Sequence, residues 1–261
     1  MALIKGFLFG DIIGRGGRET VKKFLSSLPN REEIDIIIAN GENASGGLGI
    51  TPKTALELKE MGIDVITTGN HIWRKREMYN EIHKIPYLVR PANYPPGLPG
   101  LGFITVRKRD IDIAIINLEG RTYMNQLIDC PFRVGDTIIK QLSDVMVKIV
   151  DFHAEATSEK RALGFYFDSR VSLIAGTHTH IQTADEEVLP GGTGYITDVG
   201  MVGPHYSVIG LKKELAVDKF LTSRPNKYEI GDGVQILNAI YFEICAYTGR
   251  CLKIERIIRR Y

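Results

Sequence analysis

Five strand-like stretches of the chain each run into residues able to hold a metal: Asp11, then Glu42 and Asn43, then Asn70 and His71, then His153, and finally His178 and His180. A parallel or mixed sheet gathers the carboxyl ends of its strands along one edge, so ligands remote in sequence converge there. The chain is thereby restricted to folds in which these strand ends meet. From Ile4 to Thr68 the runs Ile4–Phe9, Ile34–Ala39 and Val65–Thr68 alternate with helical segments at Glu19–Ser27 and Lys53–Met61, the rhythm of βαβ units. Thr51-Pro52 starts the second helix well, because threonine caps free N–H groups and proline suits the first helical position.

Further along, a helix is expected at Arg74–His83, then strands at Tyr87–Val89, Phe103–Arg107 and Ile111–Asn117, with 95-PPGLPG-100 as a loop. A helix at Thr137–Ser143, a strand at Val145–Val150, a helix at Ser158–Phe165 and a strand at Val171–Ala175 follow. Tyr195–Thr197 and a closing pair, Val234–Phe242 and Leu252–Ile258, complete the pattern. This mixture predicts an α/β fold, a layered sandwich of two central mixed sheets flanked by helices, rather than one doubly wound sheet. The length allows one catalytic domain, 1–261, with a small cap expected from segments 122–132 and 201–228.

A net charge of +2 leaves little field to attract polyanions. The basic end, Lys253, Arg256, Arg259 and Arg260, reads as a solvated edge and is the sole sequence support for an RNA partner. Cys130, Cys245 and Cys251 are too few and too irregular for a disulfide framework or a CxxC zinc site, which favours a reducing compartment. With no apolar run near the ~20 residues that cross a bilayer, a cytoplasmic location without membrane contact is expected.

Two divalent ions held about 3.5–4 Å apart polarise a phosphoryl group, share a hydroxide nucleophile and offset charge on phosphate oxygens. Glu42 is the expected bridge. Asp11, Asn43 and His180 would complete one ion's shell, and Asn70, His153 and His178 the other's. Oxygen and imidazole donors without thiolate suit Fe, Mn or Zn. His71 directly follows a proposed ligand, so it can sit over the site and donate a proton to the departing oxygen. The segments 14-GRGG-17 and 46-GGLG-49 lack both GxGxxG and GxxxxGK[ST], which argues against a nucleotide-cradling loop. Their expected role is to pass backbone close to the ions, with Arg15 near substrate phosphate and Arg90, Asn93, Arg121 and Asp129 as further substrate neighbours.

Read in order, 10-GD-11, 41-GEN-43, 69-GNH-71, His153 and 176-GTHTH-180 resemble the calcineurin-like metallophosphoesterase pattern. Ile13 stands where that pattern has a first-motif histidine, Glu42 where it has a bridging aspartate, Ile72 where an acidic residue follows GNH, and Thr177 where the last motif has its first histidine step. The segments 40-NGENASGGLGIT-51, 65-VITTGNHIW-73, 90-RPANYP-95, 129-DCPF-132, 151-DFHAEATSEK-160, 176-GTHTHIQTAD-185 and 196-ITDVGMVGP-204 are similar to the YmdB-type bacterial phosphodiesterases. That resemblance implies Asn43 in place of the missing histidine ligand, a binuclear iron or manganese site, hydrolysis of 2′,3′-cyclic and 3′,5′-cyclic nucleotides, and a homo-oligomer. Two rivals stay open: a metal-dependent deacylase using the same ions on a carbonyl, and a regulatory or RNA-binding metalloprotein acting through partners.

Overall fold

A computed structural model describes residues 2–225 and 227–261; position 226, inside the segment expected as a cap, lies outside the described residues. In chain order the strands are β1 (Leu3–Phe9), β2 (Asp11–Ile12), β3 (Ile36–Asn40), β4 (Val65–Thr67), β5 (Phe103–Lys108), β6 (Ile111–Glu119), β7 (Val147–His153) and β8 (Leu173–Thr177). Then come β9 (Glu187–Val188), β10 (Gly194–Ile196), β11 (Met201–Pro204), β12 (Ser207–Val208), β13 (Leu211–Lys212), β14 (Gln235–Cys245) and β15 (Cys251–Arg260). The helices are α1 (Gly14–Ser27), α2 (Pro52–Glu60), α3 (Met78–Glu81), α4 (Pro131–Gln141), α5 (Thr157–Phe167) and α6 (Lys213–Thr222).

The larger sheet runs β2-β11-β14-β1-β3-β4, with β15 on the other edge of β14, and the smaller runs β5-β6-β7-β8-β10-β9. Both are mixed: β1, β3 and β4 are parallel beside antiparallel β14, while β6, β7, β8 and β10 are parallel between antiparallel β5 and β9. Strand side chains alternate between faces, and here the alternation sorts three cores. Ile4, Leu8, Ile36 and Ile38 meet Ile113, Ile115, Val147 and Ile149 between the sheets. Phe7, Phe9, Ile37 and Ala39 face outward to Val21 and Phe24 of α1 and Leu58 of α2. Ile116, Leu118, Val150 and Phe152 face Ile138 of α4 and Leu163 and Phe167 of α5. Each such fully buried large apolar side chain contributes roughly 1.5–3 kcal/mol.

The expected sandwich is therefore observed, with helices outside two central sheets. Local differences have physical causes. Helix α1 begins at Gly14 rather than Glu19 because its glycines let it seat against the larger sheet; a Cβ at Gly17 would lie 2.3 Å from the Val202 carbonyl oxygen. Helix α4 begins at Pro131, earlier than expected, with that proline in the first turn. The expected strand Tyr87–Val89 reduces to two isolated bridges at Leu88 and Val89, since Pro86 and Pro91 on either side lack an N–H for a ladder. Arg74–His83 is not one helix but short α3 between two 3₁₀ turns, with Trp73 stacked on Tyr79 at 5.0 Å. Met201–Pro204, within the segment expected as a cap, is buried strand β11 of the larger sheet; the hairpin β12–β13 and helix α6 follow it.

Candidate metal centre

At the carboxyl ends of the parallel strands the space between the sheets turns from apolar to polar. Below the site, the buried carboxylate of Asp151 accepts hydrogen bonds from Asn40 Nδ2 at 3.0 Å, from Thr177 Oγ1 at 2.7 Å and from the Thr67 hydroxyl, so it ties β3 and β4 of one sheet to β7 and β8 of the other. Burial pushes Asp151 up to about 7, against these bonds.

Above this network lie the residues expected from the sequence. Asp11 opens β2, Glu42 and Asn43 follow β3, Asn70 and His71 follow β4, His153 ends β7, and His178 and His180 follow β8. The structure brings all eight together. Glu42 is buried; its Oε1 accepts the His71 N–H at 2.5 Å and stands 3.7 Å from His153 Nε2, while its Oε2 has no hydrogen-bond partner. Burial, with the nearby charge of Asp11, raises its pKa well above the usual range. Asp11 goes the other way. Burial works to raise it, but the charge and hydrogen bond of His180 hold it well below the usual carboxylate range.

Tautomers follow from the partners. Thr177 gives its proton to Asp151, so its Oγ1, 2.9 Å from His153 Nδ1, accepts an N–H there. The lone pair of His153 Nε2 then faces Asn70 Oδ1 at 3.0 Å and Glu42 Oε1 at 3.7 Å. His180 likewise donates Nδ1–H to the Ile209 carbonyl at 2.8 Å and turns Nε2 toward Asp11 Oδ1, 3.5 Å away. Such backbone and hydroxyl partners fix which nitrogen is free to ligate. At His153 the Nε2 lone pair is aimed at two oxygens, beside the orphaned Oε2 of buried Glu42, and a cation satisfies such electrostatics. The donor set fits hard to borderline ions. Among the described residues no group of three or more His, Cys, Asp and Glu side chains already stands in metal-holding geometry; two donors here are asparagines, and the imidazoles of His153 and His178 lean on each other at 3.1 Å.

The 177-THTH-180 turn is strained, with His178 at φ 101° and His180 at φ 66°. Such backbone persists where surroundings over-determine it. Asp198 does this, accepting from Thr179 N at 3.0 Å and Thr179 Oγ1 at 2.8 Å while paired at 2.6 Å with buried Lys160. Two glycines make room. A Cβ at Gly69 would fall 2.1 Å from the His153 ring, and one at Gly176 would fall 1.8 Å from the Thr197 carbonyl oxygen.

His71 lines the mouth of the site. Its Nδ1 lies 2.8 Å from Asn43 Oδ1 and 3.3 Å from Glu42 Oε1, which orient a ring that no carboxylate next in sequence could hold. Burial, followed by the charge of Arg74, lowers its pKa to about 4. The cleft above, about 310 Å³, has Glu42, Asn43, His71, His178 and His180 as its floor and Leu48, Ile209, Leu211 and Tyr228 as apolar wall.

The five expected substrate neighbours lie outside this cleft. Arg15 is on the exposed face of α1, paired with Glu19 one helical turn on. The buried Arg90 guanidinium braces the proline-rich loop through the carbonyls of Pro91, Leu98 and Pro99. Asn93 is fully buried and stitches Glu119 to Asp129 through their backbones. Arg121 lines a separate shallow pocket with Phe132 and Glu159, and the Asp129 amide is held by the Asn93 carbonyl. Sequence reasoning missed Glu155, whose carboxylate sits 3.0 Å from His178 Nε2; its place two residues after His153 was the available signal.

It also missed Glu119. This carboxyl lies in the register position beside His153, is fully buried and has neither oxygen in a well-formed hydrogen bond. Burial pushes it up to about 8, against a lowering by the Tyr94 hydroxyl. An acid whose folded pKa is raised favours folding below its unfolded value and loses that contribution as pH climbs through the folded one. Glu119→Gln is therefore expected to unfold at a higher temperature than the parent at pH 8–9, with the gap closing toward pH 5; thermal melts across that range check it, and a pH-independent gap would contradict it.

A family model described as YmdB-like protein matches residues 7–257. A curated relative from Bacillus subtilis (strain 168), named 2′,3′-cyclic-nucleotide 2′-phosphodiesterase, is 44% identical over 250 residues, covering 95% of this chain and 94% of its own. A crystal structure described as a novel phosphatase from Mycoplasma pneumoniae superposes with a TM-score of 0.94 at 36% identity, over 100% of this chain and 94% of that one. A 5′-nucleotidase precursor from Thermus thermophilus matches with a TM-score of 0.57 at 12% identity, over 98% of this chain and 54% of that one, a likeness of fold alone.

Proposed function

Since the chain belongs to the YmdB-like protein family, we propose that it is a metal-dependent phosphodiesterase that hydrolyses cyclic nucleotides, 2′,3′-cyclic monophosphates foremost and 3′,5′-cyclic monophosphates as a second class to test. The observation that carries this reading is the buried Glu42 carboxylate, with one free oxygen, among imidazoles and carboxamides drawn from both sheets. Asp11, Asn43 and His180 would hold one ion, and Asn70, His153 and His178 the other, with Glu42 between. Ions held there would polarise the phosphoryl group and lower the pKa of bound water. Iron or manganese and a homo-oligomer belong to the same reading through the family resemblance, and a cytoplasmic setting through the few, irregularly spaced cysteines.

The chain's own groups do the rest. Glu42, Asn43 and His180 lie buried at the floor of the cleft, where low polarisability strengthens each charge. Asn43 Oδ1 accepts the His71 Nδ1–H, which leaves Nε2 as the ring atom for the departing oxygen. The imidazole is neutral in the free protein, with its pKa near 4; a bound phosphodiester brings negative charge beside it and favours its protonation. Binding and protonation are then coupled. His71→Ala is expected to lower kcat by about 10²–10³-fold while metal content, measured by elemental analysis of the purified protein, stays unchanged. Undiminished turnover would refute the assignment.

A further inference from the structure

The floor of the cleft suits a phosphate, but one of its walls has the wrong chemistry for that. Leu48, Ile209, Leu211 and Tyr228 present carbon beside polar His178 and His180. Tyr228 is not a loose surface ring. Its hydroxyl donates to the Gly47 carbonyl at 2.7 Å, and its ring fills the space a side chain at Gly47 would need, since a Cβ there would lie 2.6 Å from Tyr228 Cε1. Ile209 is a β-branched residue held at φ 49°, a costly conformation, and its carbonyl is the partner of His180 Nδ1. The wall is thus tied to the floor at Ile209, and to the loop after Glu42 and Asn43 through Tyr228.

Resting on the phosphodiesterase reading above, we infer that Tyr228, with Leu48, Ile209 and Leu211, is the platform on which the base of a cyclic nucleotide stacks while its phosphate lies over Glu42, His71 and His178. A ring anchored by its own hydroxyl loses little freedom when a base settles on it. These four side chains bring no hydrogen-bonding group that faces the base apart from the committed hydroxyl, so the wall reads stacking area rather than base pattern. Purines gain more from it than pyrimidines, and every base is accepted.

The test compares an adenosine 2′,3′-cyclic phosphate with ribose 2′,3′-cyclic phosphate, which keeps the reacting group and lacks the base. For Tyr228→Leu and Tyr228→Ala, KM for the nucleotide is expected to rise roughly five- to hundredfold, the size of one base–aromatic stack. The ratio of kcat/KM for the nucleotide to that for the baseless ester is expected to fall by a similar factor, and circular-dichroism melts report that the variants are folded. Tyr228→Phe, which keeps the ring, should retain most of the nucleotide preference. Equal losses on both esters, or no loss on the nucleotide, would overturn the platform while leaving the phosphodiesterase reading standing. Failure of the parent protein, with its native metal, to cleave either ester would overturn that reading and the platform with it.

Discussion

Glu42→Gln is expected to lower hydrolysis of a phosphodiester by about 10³-fold or more, beyond the ~10²–10³ typical of losing one transition-state charge stabiliser, because the same oxygen pair is proposed to serve both ions. The more telling half of the experiment is stability. Glu42 is buried with Oε2 unpartnered and with the Asp11 carboxylate near enough to raise its pKa. Glutamine keeps the shape and the acceptor for the His71 N–H while removing the cost of burying or neutralising a carboxylate there. The metal-stripped variant should therefore melt at the same temperature as the stripped parent, or higher. Loss of activity with undiminished stability marks a residue kept for chemistry. A variant that unfolds early, or that still turns over substrate, would remove Glu42 from the centre of the site.

The second large effect belongs to backbone. Gly176→Ala places a methyl group 1.8 Å from the Thr197 carbonyl oxygen, and this oxygen cannot easily retreat, since the Thr197 N–H and hydroxyl are both bonded to Asp185. The strain is backbone against backbone at the junction of β8 with the strand beside it. Expected destabilisation is about 3 kcal/mol or more, a fall of roughly 10 °C in Tm for a chain of this size. Gly46→Ala is the control. Gly46 sits at φ 67° with nothing near its missing Cβ, so only the left-handed backbone cost of about 1–2 kcal/mol applies. Comparable melting points for the two variants would refute the close-approach argument.

Gly176 also shows how far the sequence could be read. A glycine just before two histidines reads in sequence as a bend toward the ions, yet Gly176 lies inside strand β8 and its need is room for a neighbouring strand. The bend is made by His178 and His180 themselves. The strand ends were legible because apolar runs stop abruptly at polar residues, and a period of two leaves one face for each core. Arg90 and Asn93 were misplaced for a different reason. Their hydrogen-bonding capacity is visible in sequence, but whether it is spent on backbone carbonyls or left for a ligand depends on loops of irregular course, which periodicity does not describe. Glu155, Glu119 and Tyr228 were passed over on the same ground: what each touches is set by tertiary neighbours.

The Asp151 network has a consequence for how the protein must be handled. The larger sheet contributes Asp11, Glu42, Asn43 and Asn70, and the smaller contributes His153, with His178 and His180 just beyond it. Neither half alone carries a complete set of donors. Any cation captured there clamps one layer to the other, so its free concentration feeds directly into resistance to heat by mass action. Preparation in a chelating buffer would then yield a more fragile molecule as well as an inert one, and thermal melts taken without control of trace ions would compare different substances.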